Sequence, residues 1–112
     1  MPPDRDPKTV QDVAWNSGLP TKSEEEKRRR IRLAVYAYAY EILQPPISLV
    51  SDHVFDAECY KINLEIDTDR PDLDEWWRNN FHPHTGSWIW RYPEKHKLHR
   101  LVEIYQTFPI KE

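Results

Sequence analysis

Apolar positions along this chain fall into separate periodic stretches, and each implies an element. From 23 to 43 the sequence reads SEEEKRRRIRLAVYAYAYEIL, in which Ile31, Val35, Tyr38 and Ile42 recur at steps of four, three and four. That spacing lines one face of an α-helix, and Leu33, Tyr36, Tyr40 and Leu43 make a neighbouring stripe. Ser23 with Glu26 three residues later has the form of a capping box, so the helix is expected to open at Ser23. Pro45-Pro46 closes it, because proline has no amide donor and the residue before it avoids the helical region.

A second helix is expected from Ser51-Asp52 through HVFDAECYKINLEI, burying Val54, Phe55, Cys59, Ile62 and Ile66. A loop of about seven residues between these two helices permits little besides an antiparallel hairpin. DTDRP, residues 67–71, breaks the pattern. Asp72 with Glu75 then reads as another acidic capping box, opening a short helix that packs Leu73, Trp76, Trp77 and Phe81 inward. Further on, Trp88, Trp90 and Tyr92 alternate with Ser87, Ile89 and Arg91 after a Thr85-Gly86 turn, which predicts a possible short strand near 86–92. A last helix, about 93–107, buries Leu98, Leu101, Val102 and Tyr105.

The expected fold is therefore mainly α: a helical hairpin plus two further helices in a single domain over 23–112. Residues 1–22 hold four of the ten prolines and one of the two glycines, without sustained periodicity, and read as an extended or mobile arm. Within it Val10, Val13 and Trp15 are candidates to dock on the domain.

Composition narrows the function classes. At 112 residues the chain is one domain with a modest core, in which five Trp, six Tyr and three Phe supply much of the buried area. A formal charge of −3 argues against a general nucleic-acid binder. The basic run from Lys27 to Arg32 does not change this. Glu24–Arg28, Glu25–Arg29 and Glu26–Arg30 are i,i+4 pairs in the favourable order, which predicts a solvated, self-paired face. Trp76, Trp77, Trp88 and Trp90 suit a core or a protein interface better than a base-stacking platform. The single cysteine, Cys59, lies in an apolar pattern and fits a buried thiol in a reducing compartment. No apolar run reaches the roughly 18 residues of a membrane span, and MPPDRDPKTVQD lacks the apolar centre of a signal peptide, so a cytoplasmic protein is expected.

The hairpin region, YAYEILQPPISLVSDHVFDAECYKI, carries the most specific signal. It resembles the N-terminal helical module, domain Ia, of bacterial NAD-dependent DNA ligases. In that family a tyrosine-rich helix, a proline loop and a Ser/Pro-Asp-x-x-Tyr-Asp helix start are followed by a His-Pro-Glu-Leu step about twenty residues on. Arg70-Pro71-Asp72-Leu73 stands at nearly that distance, and the resemblance covers roughly residues 24–73. It implies a bacterial or phage protein whose helical module closes over the nicotinamide mononucleotide half of NAD.

By that resemblance Asp52 and Asp56 match the aspartates that contact the nicotinamide nucleotide, and Phe55 stands where the family has tyrosine. Tyr40 matches the tyrosine of the first helix when two extra loop residues are allowed for. Glu41 then replaces a histidine, which sets a carboxylate beside a phosphate-bearing ligand. Read from the residues alone, Asp52 beside Ser51 is equally a cap for the second helix, with Asp56 favoured by the helix dipole. If a ligand site is kept, Tyr40, Asp52, Phe55 and Asp56 must converge on one cleft between the two helices.

The Lys-x-Asp-Gly nucleophile of ligase adenylation is absent, since the only glycines are Gly18 and Gly86. Ligation by this chain alone is excluded, and no other complete catalytic constellation is present. His82-x-His84 and His96-x-x-His99 have no companion ligand at a diagnostic spacing, so no metal is expected. Two functions follow as expectations. One is a non-catalytic, ligase-related module binding NAD or nicotinamide mononucleotide without requiring a cofactor. The other is a small acidic protein of phage or mobile-element type that uses the hairpin as a scaffold to bind or inhibit an unknown protein partner.

Overall fold

Thr21 opens the first helix. In the computed structural model, which describes residues 20–107, its hydroxyl oxygen accepts the Glu24 amide at 3.1 Å while the Glu24 carboxylate accepts the Thr21 amide at 2.9 Å. The capping box thus lies two residues before the expected one at Ser23. The correction has a physical cause: Ser23 and Glu26 have other partners. The Ser23 hydroxyl donates to the Asp67 carbonyl at 3.0 Å, and Glu26 is fully buried. Of the expected arm, residues 1–19 lie outside the described residues, as do Val10, Val13 and Trp15.

Helix α1 spans Lys22–Glu41, α2 Asp52–Lys61, α3 Pro71–Asn80 and α4 Lys95–Thr107. No strand occurs among the described residues. Residues Ser87–Arg91, expected to be extended, form a 3-10 helix. The Ile89 amide donates to the Gly86 carbonyl at 3.1 Å and the Tyr92 amide to the Ile89 carbonyl at 3.0 Å. The aromatic alternation misleads here because Ile89 points in while Trp90 is 53% exposed. Three-residue turns put Trp88, Ile89 and Tyr92 inside together. Trp88 and Tyr92 join Trp76, Trp77 and Phe81 in a ring cluster whose centroids lie 5.0–6.3 Å apart. The indole N–H groups find acceptors, Trp88 at the Thr85 carbonyl (2.6 Å) and Trp76 at the Arg91 carbonyl (3.0 Å).

α1 is the axis of the molecule. Leu33 through Ala39 are buried without interruption, so the helix is enclosed on all sides rather than along one stripe. Ala34, Ala37 and Ala39 let neighbours approach closely. α1 and α2 form the expected hairpin, but α1 makes more of its contacts with α4 and with the 3-10 helix. Tyr36 meets Tyr105 edge-on, and the Tyr38 hydroxyl lies 3.2 Å from His99 Nδ1.

The basic run of α1 is not the solvated face its charge pattern predicts. Arg30 is only 4% exposed. Its guanidinium reaches Glu26 (2.8 Å), Asp74 (2.9 Å) and the carbonyls of Asn63 (2.9 Å) and Ile66 (3.0 Å). Of the expected i,i+4 pairs Glu26–Arg30 forms, but in the interior; Glu24 is held in the capping box. At α3 the expected Asp72–Glu75 box is absent. Pro71 occupies the first turn, where a missing amide costs nothing, and Arg70 precedes it without a side-chain cap. Asp72 instead pairs with Arg70 at 2.9 Å. The carboxylate that organises this helix start is Asp74, which accepts the Thr68 amide (2.8 Å) and hydroxyl (2.7 Å).

Candidate functional site

Two helix faces meet at the loop end of the hairpin, where α1 ends and α2 begins. On α1, Tyr36, Ala37, Tyr40 and Glu41 stand one turn apart in pairs and so share a face. On α2, Asp52, Phe55 and Asp56 are spaced by three and four and do the same. The connection between them folds back, its Ile47 amide donating to the Ala39 carbonyl at 2.9 Å and its Ser48 hydroxyl to the Val50 carbonyl at 2.8 Å. Between these faces lies a cleft of about 330 Å³, completed by Ser48, Leu49 and Val50 and, from the far side, by Thr85 and Gly86. All five residues singled out from the sequence, Tyr40, Glu41, Asp52, Phe55 and Asp56, line it.

The capping question is answered at Ser51. Its hydroxyl oxygen accepts the Val54 amide at 3.2 Å and its carbonyl accepts the Phe55 amide at 2.9 Å. Ser51 is therefore the cap, and Asp52 is the first residue inside the helix with its carboxylate not used for capping. Tyr40 is 54% exposed and forms the rim, while Phe55 and Glu41 are half-buried in the wall.

The electrostatics of the cleft are one-sided. Three carboxylates, Glu41, Asp52 and Asp56, border it, and no lysine, arginine or histidine does. Among the described residues none of the three forms a hydrogen bond or an ion pair. The field of Asp56 reaches behind the wall to Cys59. That thiol is pushed up to about 12, first by burial and then by the charges of Asp56 and Glu58. At neutral pH it is a packing group and not a nucleophile.

Gly86 was legible only as a turn residue, yet it shapes the cleft. A methyl group placed on it would meet the Phe55 ring at 3.4 Å, Glu41 Cγ at 3.6 Å and Ala37 Cβ at 3.7 Å. The loop before the 3-10 helix thus comes down onto three cleft residues from two helices. Tyr36 and Ala37 were recoverable from the sequence, being one turn before Tyr40 and Glu41. Nothing local tied the Thr85-Gly86 turn to the cleft, since it lies about twenty-five residues beyond the end of α2.

A second, smaller cavity of about 200 Å³ lies between α1, α3 and α4. Lys27, Arg30, Arg70 and Lys97 border it over Leu73, Trp77 and Leu98, but each cation has a partner. Lys27 pairs with Asp69 (2.8 Å), Arg70 with Asp72 and Glu94 (2.9 and 2.8 Å), and Lys97 with Glu94 (3.4 Å). This is an ionic seam holding helices together. Among the described residues no group of three or more His, Cys, Asp or Glu side chains is placed to hold a metal ion, and no helix is long and apolar enough to cross a membrane. Comparison with protein families, with curated proteins and with solved structures finds no match.

Proposed function

We propose that this chain is a non-catalytic binding module, related to the helical module of NAD-dependent DNA ligases, whose cleft takes the nicotinamide mononucleotide half of NAD. The observation that supports this reading is the convergence of Tyr40, Asp52, Phe55 and Asp56, chosen from sequence, on one cavity of ligand size. Tyr40 and Phe55 offer faces for a flat ring. Asp52 and Asp56 offer acceptors for ribose hydroxyls or a carboxamide N–H. Because Tyr40, Asp52 and Asp56 on its border are exposed, the expected affinity is weak, on the order of 4–6 kcal/mol, or millimolar to high micromolar. A cytoplasmic setting, where NAD is abundant and a free thiol stays reduced, belongs to the same reading.

Amide chemical shifts followed during titration with nicotinamide mononucleotide and NAD test it. Shifts should cluster on Tyr40, Asp52, Phe55, Asp56 and Gly86. Gly86→Leu should abolish them, because its side chain must enter the space beside Phe55 and Glu41 while every carboxylate stays in place. Absence of shifts at roughly ten millimolar ligand rules the nucleotide reading out.

A second reading is supported by the exposed rings and aliphatics away from the cleft, Tyr60 (68%), Trp90 (53%) and Ile104 (43%). On it the molecule is an acidic protein-interaction module, and the ligase-like hairpin is scaffold. Isolated exposed apolar residues are ordinary on protein surfaces, so the cleft carries more weight.

A further inference from the structure

The reading above leaves open which part of the ligand the cleft selects, and its charge decides this. We infer that the cleft holds its nicotinamide ligand through the cationic ring, so that a flat N-substituted pyridinium without phosphate binds more tightly than the phosphate-bearing nucleotide. The inference rests on the cleft being a nicotinamide site, and it concerns the species bound.

Ring walls and unopposed negative charge occur together in this cavity. Tyr40 and Phe55 bring aromatic rings to the lining, and an aromatic face attracts a cation through the ring quadrupole. Glu41, Asp52 and Asp56 add three carboxylates with no basic neighbour in the lining. A phosphate entering such a cavity meets like charge and finds no lysine, arginine or histidine to receive it. The oxidised nicotinamide ring carries a formal positive charge wherever its nitrogen is alkylated or ribosylated. It therefore meets favourable Coulomb terms from the same three groups. In the nucleotide the two ends of the ligand are opposed, one attracted and one repelled. In the nucleoside only the attracted end remains. One like-charge contact at about 4 Å in water-like surroundings corresponds to roughly fivefold in affinity, and partial burial of Glu41 raises that.

Four probes separate the charge from the ring: nicotinamide, 1-methylnicotinamide, nicotinamide riboside and nicotinamide mononucleotide. They are titrated into the full chain by amide shifts or isothermal calorimetry. The methylated cation should bind at least about fivefold tighter than neutral nicotinamide, and the riboside about tenfold tighter than the mononucleotide. Both gaps should shrink when ionic strength is raised from about 0.05 to about 0.5 M. Glu41→Gln and Asp56→Asn, with native circular dichroism confirmed, should each narrow the riboside–mononucleotide gap. If all four bind with similar affinity, or the mononucleotide binds tightest, charge selection is overturned while the nicotinamide site survives. If none binds, the nicotinamide reading falls and this inference falls with it.

Discussion

Replacing Arg30 with methionine removes the guanidinium from the interior and keeps most of the side chain's bulk. Four hydrogen bonds are lost, two to the carboxylates of Glu26 and Asp74 and two to the carbonyls of Asn63 and Ile66. Both carboxylates stay almost fully enclosed, at 0% and 4% side-chain exposure. Removing one partner of a buried ion pair costs about 3–5 kcal/mol, because the other charge is left uncompensated. Here two charges are left. Each keeps some support: Glu26 retains the Asn63 amide at 3.0 Å and Arg29 at 3.0 Å, and Asp74 retains both Thr68 donors. The expected loss is therefore about 4 kcal/mol, a large share of the roughly 5–15 kcal/mol that holds a domain of this size. Urea unfolding followed by fluorescence of the buried Trp77 and Trp88 measures it. With a slope of about 1–2 kcal/mol per molar urea, the midpoint should drop by about 2–4 M. Arg28→Met, two residues earlier on the exposed side of the helix, is the control and should stay within about 0.5 kcal/mol of the wild type. A loss below about 1 kcal/mol for Arg30→Met, the value of a surface pair, would refute the claim that this network is desolvated.

Two further outcomes follow from the ionisation of groups near the helix starts and behind the cleft. Cys59, with its ordinary value of 9.0 pushed up to about 12, should react with a thiol reagent at pH 8 at least about a thousandfold more slowly in the native protein than in denaturant. Rapid stoichiometric labelling of the folded chain would contradict that burial. Glu94 and Asp72 are held below their ordinary values of 4.5 and 3.8, chiefly by hydrogen bonds from Arg70, and Asp69 below 3.8 by one from Lys27. Groups depressed in the folded state contribute stability above their ordinary values and lose it as pH falls through the folded ones. The melting temperature should therefore decline below about pH 4.5, and Glu94→Gln should flatten the first part of that decline. Because these groups are exposed the effect is modest, and a Glu94→Gln profile superimposable on the wild type would show that the Arg70–Glu94 pair contributes nothing.

Features set by near neighbours along the chain were readable in advance. The helical character of α1, its stop before Pro45-Pro46, the Ser51 start of α2 and the apolar face of α4 all rest on interactions within about one helical turn. Features set by distant partners were not. Thr21 and Ser23 are equally good caps by type, and what moves the box to Thr21 is the use of Glu26 by Arg30 and by the Asn63 amide. Pairing of Arg30 with Asp74 spans 44 residues. From sequence the basic run therefore looked like a solvated face, because Arg28, Arg29 and Arg30 each have a glutamate four residues before them. The aromatic alternation at 88–92 failed for a related reason: whether Ile89 or Trp90 turns inward depends on the ring cluster of α3.

The cleft stands between these cases. Residues one turn apart must share a face, so each helical wall is consistent with the sequence, and the five residues taken from the ligase resemblance all line the cleft. Its third wall, Thr85-Gly86, depends on how the chain after α3 returns to α1. The same return explains why the carboxylates there lack the cation partners that seven acids elsewhere have. Glu26, Glu58, Asp67, Asp69, Asp72, Asp74 and Glu94 each lie within reach of a lysine or arginine. Glu41, Asp52 and Asp56 face a loop that supplies a threonine hydroxyl and a glycine and no cation. Solvent-exposed acids without partners are common and carry no meaning singly. Three bordering one concavity, with two aromatic rings and an approach kept open by a glycine, leave a negative potential that the protein itself does not neutralise. A mobile cation can relieve it only while bound. On the proposed reading a pyridinium would do so while lying against Tyr40 and Phe55, so that charge and ring lining would favour the same class of ligand.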